Sequence, residues 1–288
     1  MTFKSEYNTP NVPGRTQGYA SRRGIVTTDD PTCCEQGCEE MGVEIIDVRP
    51  QSSSMVESMR RFGYTLETAL ADIVDNSITA RATGISVSFE WSGGRPWIAI
   101  LDDGHGMDRE ELIQAMRFGS RSPLETRHGD DLGRYGLGMK TASLSQCRRM
   151  TVISLRNGNL IAAEWDMDEI NASDSEAWPV RLLDRSAIEG DAFISRELLP
   201  GLLEKEFGTI VLWRNLDGPS FEVRSKNREN RFSRFMDQAR KHIELVFHRF
   251  IEPDGNHSPV RMDFNGGILE ALNPFGEEIP ARLQFDEE

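Results

Sequence analysis

The sequence predicts an α+β fold, and three observations carry that prediction. Leu66, Ala69, Leu70, Ile73, Val74 and Ser77 recur at helical spacing between Leu66 and Ala80, giving an apolar stripe with a polar stripe beside it. Trp97-Ile-Ala-Ile-Leu101 is an apolar run of strand length, and Ile85-Ser-Val-Ser-Phe-Glu-Trp91 alternates as a half-buried strand does. From Met150 the chain turns β-rich: Met150–Leu155 and Asn159–Trp165 flank Arg156-Asn157-Gly158, a hairpin signal.

In chain order, residues 1 to about 42 are rich in Thr, Gly, Pro, Arg and Asp without periodicity and read as a flexible arm. Cys33, Cys34 and Cys38 cluster there. Three thiols can hold a metal with an outside ligand, but Cys-x₂-Cys pairs are missing, and reduced thiols in a loose arm are the default reading. Val43–Val48 is a candidate strand, and Gln51 to Phe62 a helix opened by serines that can cap it. Ser92-Gly-Gly-Arg turns the strand at Ile85–Trp91 toward Trp97. Asp108 caps a helix reaching Phe118, with Glu111 completing a capping box. Residues 167 to 206 read as irregular and acidic, with no assignable role. Thr209–Trp213 reads as a closing strand. Arg228 to Phe250 is a long helix with Phe232, Phe235, Met236, Ala239, Ile243, Val246, Phe247 and Phe250 on one stripe. Val260–Asn265 is a last strand, followed by a turn at Gly266-Gly267.

Composition narrows the function. The chain has 288 residues, 38% of them hydrophobic, enough for one large domain or one domain and part of another. A net charge of −14 argues against gripping nucleic acid over a broad face but leaves room for a local patch. Arg224 to Arg249 is that patch, with eight Lys/Arg against three Asp/Glu. It suits a DNA or protein partner, or simply a solvated helix face. No apolar run approaches membrane-spanning length and no signal-peptide pattern opens the chain, so a cytoplasmic protein with reduced cysteines is expected and no membrane partner.

Three motifs carry chemistry. On the first helix, Asp72 and Asn76 are four apart and leave the same face. A carboxylate there can orient and deprotonate a water, while an amide oxygen binds a hard cation such as Mg²⁺. Asp75 is the nearby competitor for the acid–base role, and all three residues also suit an ordinary solvated face. In the second motif a strand ends in Asp102-Asp-Gly-His-Gly-Met107. Asp102 at the tip can accept a hydrogen bond from an exocyclic amine, Gly104 and Gly106 admit a flat ring, and Met107 packs against it. The same residues also make an ordinary turn. The third motif, Gly133-Arg-Tyr135-Gly136-Leu137-Gly138-Met-Lys140, leads into a helix over Met139–Gln146. Glycine-rich backbone at a helix N-terminus is a phosphate cradle. It lacks the spacing of a P-loop or of a dinucleotide fingerprint. Between the second and third motifs, Gly119 to Leu132 is a long polar loop, placed to act as a lid over the phosphate glycines. Arg121, Arg127 and His128 in it are phosphate candidates or solvated charges.

In this order the motifs resemble the ATP-binding domain of the GHKL superfamily, which unites gyrase-type topoisomerases, heat-shock chaperone ATPases, histidine kinases and MutL. Val74-Asp-Asn-Ser-Ile-Thr-Ala80 and Tyr135-Gly-Leu-Gly-Met-Lys140 are most similar to its MORC-like branch and bacterial relatives. Glu206–Leu212 resembles the family's Gly-Thr strand, and His248–Ile251 with Asn273-Pro-Phe275 resembles the start of the region beyond it. The resemblance implies a Bergerat-type two-layer sandwich, a mixed and mostly antiparallel sheet under helices with an ATP lid, followed by a transducer-like segment. The domains it implies are an arm at 1–42, an ATP-binding domain at 43–217 and the start of a transducer-like region, cut short, at 218–288. ATP and Mg²⁺ are the expected cofactors and an ATP-dependent homodimer the expected assembly. By the resemblance Asn76 is the magnesium ligand, Asp102 the adenine reader, and Gly104 and Gly106 the adenine-pocket glycines. Gly136, Leu137 and Gly138 give backbone N–H groups to phosphates, Lys140 lies beside them, and Thr209 supports adenine through Asp102 or a water. In one departure, Asp72 stands where the family carries a water-activating Glu. Asp is one methylene shorter, which bears on hydrolysis rate rather than on binding. Two functions follow: a slowly hydrolysing ATP switch, or a nucleotide-dependent binding module.

Overall fold

The computed structural model describes residues 51–61, 63–118, 138–172, 178–218, 221, 227–252 and 258–274. The arm with its three cysteines, the strand expected at Val43–Val48, the loop over Gly119–Leu132, and Gly133, Tyr135, Gly136 and Leu137 lie outside these residues.

Helix α1 (Ser52–Met59) starts after Gln51, which makes no side-chain cap bond. The expected serine caps are not used: the helix begins at Ser52, so the serines lie within its first turn and Gln51 takes the cap position, where its Oε1 accepts the Ser54 hydroxyl. Helix α2 (Leu66–Thr79) is started by Thr65, whose hydroxyl accepts the Thr68 N–H while Thr68 reciprocates. All six stripe residues of α2 are buried. Strands β1 (Gly84–Glu90) and β2 (Trp97–Asp102) pair antiparallel through a 3₁₀ turn at Ser92–Gly94. Asp108 and Glu111 form the expected capping box at α3 (Arg109–Met116). Helix α4 (Gly138–Gln146) leads into β3 (Cys147–Arg156), which turns back as β4 (Asn159–Asp166). Asn157 and Gly158 both take positive φ, 51° and 77°, as a two-residue hairpin with right-handed strand twist requires.

Residues 167 to 206 are more regular than the sequence suggests. They contain α5 (Met167–Ala172), β5 (Arg181–Leu183), α6 (Arg185–Gly190), a π turn at Ile194–Leu198 and α7 (Leu199–Leu203). Each piece is too short to show periodicity, and side-chain caps start the turns: Asp184 accepts the Ala187 N–H, and Asp191 those of Phe193 and Ile194. The chain continues through β6 (Gly208–Leu216), α8 (Arg228–Val246), α9 (His248–Ile251), β7 (Arg261–Phe264) and β8 (Gly267–Ile268).

The eight strands form one sheet in the order β5-β4-β3-β6-β2-β1-β7-β8. Every pairing is antiparallel except β1 with β7, so this is the mixed, mostly antiparallel sheet of an α+β sandwich. Strand β6, expected to close the sheet, lies inside it between β3 and β2. Its apolar run explains why: Val211 and Trp213 face the helix layer, Ile210 and Leu212 the opposite side. Helices α1, α2, α3, α4, α5 and α8 bury their stripes on the first face. Ile188, Ile194, Leu198, Leu199 and Leu202, from α6 to α7, cover part of the second.

Helix α8 packs on α2, and β7 hydrogen-bonds to β1, so both layers run across the boundary expected at 217/218. The stripe of α8 holds for Phe232, Met236, Ala239 and Ile243 but fails at Val246, which is 47% exposed. There the helix ends, and Phe247 leaves the helical conformation to bury its ring. No helix among the described residues is long and apolar enough to cross a membrane.

Candidate functional site

Asp102 ends β2 and is 5% exposed. Its Oδ2 accepts the Ser77 hydroxyl at 2.9 Å, and its Oδ1 the Gly104 N–H at 2.9 Å. Burial pushes its pKa above the ordinary carboxylate value, with Ser77, Gly104 and the Thr209 N–H pulling the other way. The neighbouring Asp103 does structural work instead. It accepts the Thr83 and Gly84 N–H groups at 2.7 and 2.8 Å and the Thr83 hydroxyl at 2.8 Å. Burial raises its pKa, but these donors outweigh burial and hold it below the usual range.

The glycines after Asp102 are demanded first by the protein's own backbone. A Cβ at Gly106, where φ is 61°, would lie 2.3 Å from the Leu155 carbonyl oxygen; one at Gly104 would lie 2.9 Å from that of Ala80. The loop is then pinned by Ser154, whose Oγ accepts the Met107 N–H at 2.6 Å. Across the sheet Asp102 pairs with Thr209, which is buried. Gly208 beside it passes so close that a Cβ would sit 2.3 Å from the Asp102 carbonyl oxygen. The Gly-Thr pair thus lets β6 close against the base of the Asp102 site.

Ser77 ties this strand tip to α2, and one turn earlier α2 meets the third motif. A Cβ on Gly138, the first residue of α4, would lie 3.3 Å from Asp72 Oδ2. That oxygen accepts the Tyr64 hydroxyl at 2.7 Å. Asn76 is exposed and gives its Nδ2 to the Asp72 carbonyl at 2.6 Å, which turns the amide oxygen away from the helix backbone. Asp75 is half-buried; burial and then the Asp72 charge raise its pKa. So α2 sets Asp72 against the first residue of α4, carries Asn76 one turn further on, and through Ser77 holds Asp102.

Lys140 lies in the first turn of α4. It is 2% exposed, and its Nζ donates to the Ala115 carbonyl at 2.7 Å, 5.9 Å from the Phe118 ring centre. Burial brings its pKa down to about 8. Met107 is half-buried against the main core and also borders an open groove with Asp108, Arg156, Leu160 and Leu182. None of Asp72, Asn76 or Asp102 lines that groove.

Sequence reasoning missed Tyr64, Ser77 and Ser154. A buried serine one residue past Asn76 looks like stripe filler, and Tyr64 lies outside every motif. Their role is visible only once β2, β3 and α2 are side by side.

With that geometry in place, residues 64–199 match the family described as histidine kinase-, DNA gyrase B-, and HSP90-like ATPase. The chain is 30% identical over 94 residues to ATPase morc-1 of Caenorhabditis elegans, covering 33% of this chain and 11% of that one. It is 31% identical over 112 residues to the DNA mismatch repair protein MutL of Leptospira biflexa, covering 38% and 18%. To ATPase MORC2B of Mus musculus it is 38% identical over 80 residues, covering 26% and 8%. The matched segment is thus a small part of each relative.

Proposed function

From the match of residues 64–199 to the histidine kinase-, DNA gyrase B- and HSP90-like ATPase family, we propose that this protein is an ATP-binding, slowly hydrolysing molecular switch of the GHKL superfamily. The observation that carries this reading is the convergence on α2: Ser77 holds the buried Asp102, while Asp72 lies against the first residue of α4.

In this reading Asp102 accepts the exocyclic amine of adenine, with Thr209 beneath it and the backbone of Gly104 to Met107 along the ring. Phosphates bind at the N-terminus of α4, where the helix N–H groups and the helix dipole favour anions; the preceding Gly133, Tyr135, Gly136 and Leu137 are assigned to the same cradle. Asn76 supplies the protein ligand for Mg²⁺. One exposed amide oxygen beside phosphate oxygens and waters matches the hard, mostly hydrated coordination of that ion, which screens the phosphate charge when bound. Asp72 orients the attacking water. ATP orders the 119–135 loop as a lid and favours a homodimer. The outer face of α8, with Arg228, Arg234 and Lys241 exposed, is assigned to a DNA or protein partner.

A second reading, a nucleotide-dependent binding module without turnover, is favoured by the shorter side chain of Asp72. Phosphate release by wild type and Asp72→Glu separates the two. The switch turns over Mg-ATP in the wild type, and the longer carboxylate speeds it; binding without release in both proteins leaves the module. Sedimentation gives the assembly: one mass with and without a non-hydrolysable ATP analogue removes the dimer.

A further inference from the structure

The carboxylate of Asp72 does not hang free from α2. Tyr64, two residues ahead of the helix, donates its hydroxyl to Oδ2 at 2.7 Å. Tyr64 is itself held from several sides. Its backbone carbonyl accepts Gln146 Nε2 at 3.3 Å at the end of α4, and its ring packs on the main core. Its phenol oxygen also interacts with the Thr141 side chain, in the first turn of α4. Gly138 approaches the same Oδ2 from the start of that helix. One oxygen of Asp72 is therefore enclosed by Tyr64 and α4.

We propose that Tyr64 is a positioning residue for ATP hydrolysis: it engages Oδ2 of Asp72 and leaves Oδ1 to orient the attacking water. This rests on the hydrolytic reading above. A carboxylate left to rotate about its Cβ–Cγ bond offers either oxygen in turn. A charge-assisted O–H···O bond from a phenol fixed at both ends selects one rotamer and keeps it. Burial, and then the bond to Asp72, raise the phenol pKa, so at neutral pH Tyr64 remains a protonated donor. Tyr64 gives up no proton during the reaction. The water oxygen bonds to the γ-phosphorus, the bridging P–O bond breaks to release ADP, and the water's proton leaves through Asp72 to solvent. For an aspartate one methylene short of the usual glutamate, this bond supplies the placement that reach does not.

Tyr64→Phe keeps the ring and its packing and removes the hydroxyl alone. Steady-state phosphate release and calorimetric Mg-ATP binding are measured for wild type, Tyr64→Phe, Asp72→Asn and the double variant, with thermal melts to confirm folding. The expected result is a kcat lower by on the order of ten- to a hundredfold in Tyr64→Phe, as for a lost bond to a charged group. KM and ATP affinity change less than about twofold, since the interaction acts in the reacting state rather than in binding. In the Asp72→Asn background, removing the hydroxyl costs nothing further. Wild-type turnover with a Tyr64→Phe kcat that is unchanged, or with an equal additional loss in the Asp72→Asn background, overturns the role of Tyr64 alone. A wild type without turnover, or an Asp72→Asn variant as fast as wild type, overturns the hydrolytic reading and Tyr64's role with it.

Discussion

Lys140 is a charge stored in the interior, and replacing it by methionine should stabilise the empty protein at neutral pH. The fall of its pKa from 10.5 to about 8 comes from burial. At 1.36 kcal/mol per pH unit it corresponds to a cost of about 3 kcal/mol for keeping the ammonium charged in the fold. Methionine preserves the unbranched stem but loses the bond to the Ala115 carbonyl, worth about 1 kcal/mol. Lys140→Met is therefore expected to be about 2 kcal/mol more stable at pH 7. The sign of the pH dependence follows from the lowered folded-state pKa. Between about 8 and 10.5 the unfolded chain holds more protons than the folded one, so wild-type stability rises with pH across that window. The advantage of methionine should shrink there and end as a deficit of about 1 kcal/mol. Urea unfolding of both proteins at neutral and at alkaline pH measures it. A stability difference that does not move with pH refutes the burial argument. If Lys140 swings to the phosphates on binding, the same variant loses ATP affinity while gaining stability.

Asp102→Asn should weaken ATP binding by about 1–3 kcal/mol, the cost of a mispaired buried hydrogen bond, and GTP bound as tightly as ATP by the wild type would remove adenine reading by this carboxylate. Because the Asp102 pKa is raised, its acceptor form is lost on acidification earlier than that of an ordinary carboxylate, so calorimetric ATP affinity should fall first on the acid side. Asn76→Ala should abolish Mg²⁺-dependent ATP binding with an unchanged melt, because the side chain is exposed; a folded variant with wild-type Mg-ATP affinity excludes Asn76 from the site. Gly106→Ala should cost at least about 2 kcal/mol in denaturant unfolding, from a left-handed φ plus contact with the Leu155 carbonyl, and a variant of wild-type stability would mean the loop moves freely.

The parts of the fold legible in the sequence were those decided locally. The stripe of α2, the capping box of α3 and the Asn157-Gly158 turn each depend on residues within a few positions of one another. Strand β6 reads in the sequence only as a closing strand, because an apolar run does not say which strands flank it; β3 and β2 are distant in sequence. The helices between 185 and 203 were missed because their apolar positions match the second face of the sheet, and no local period announces that. At the site, Asp72, Asn76 and Asp102 stood out by residue type and spacing. Tyr64 and Ser77 did not, since a tyrosine before a helix and a serine on a buried stripe acquire meaning from the carboxylates that tertiary structure brings to them.

The parallel pairing of β1 with β7 sets the order in which this molecule is completed. Ser86 on β1 donates its hydroxyl to Asp263 on β7 across 177 residues of sequence. The hairpin of β3 and β4, closed by two residues, forms as soon as it is made, whereas this bond needs a loop closure among the longest in the chain. At synthesis rates of about 5–20 residues per second, β1 waits about nine to thirty-five seconds for its partner. Throughout that interval its unpaired N–H and C=O groups are open to any other extended strand. A chain that stops before Arg261 already contains Asp72, Asn76, Asp102 and Thr209, yet it leaves the β1 edge of the sheet without the partner that β7 provides.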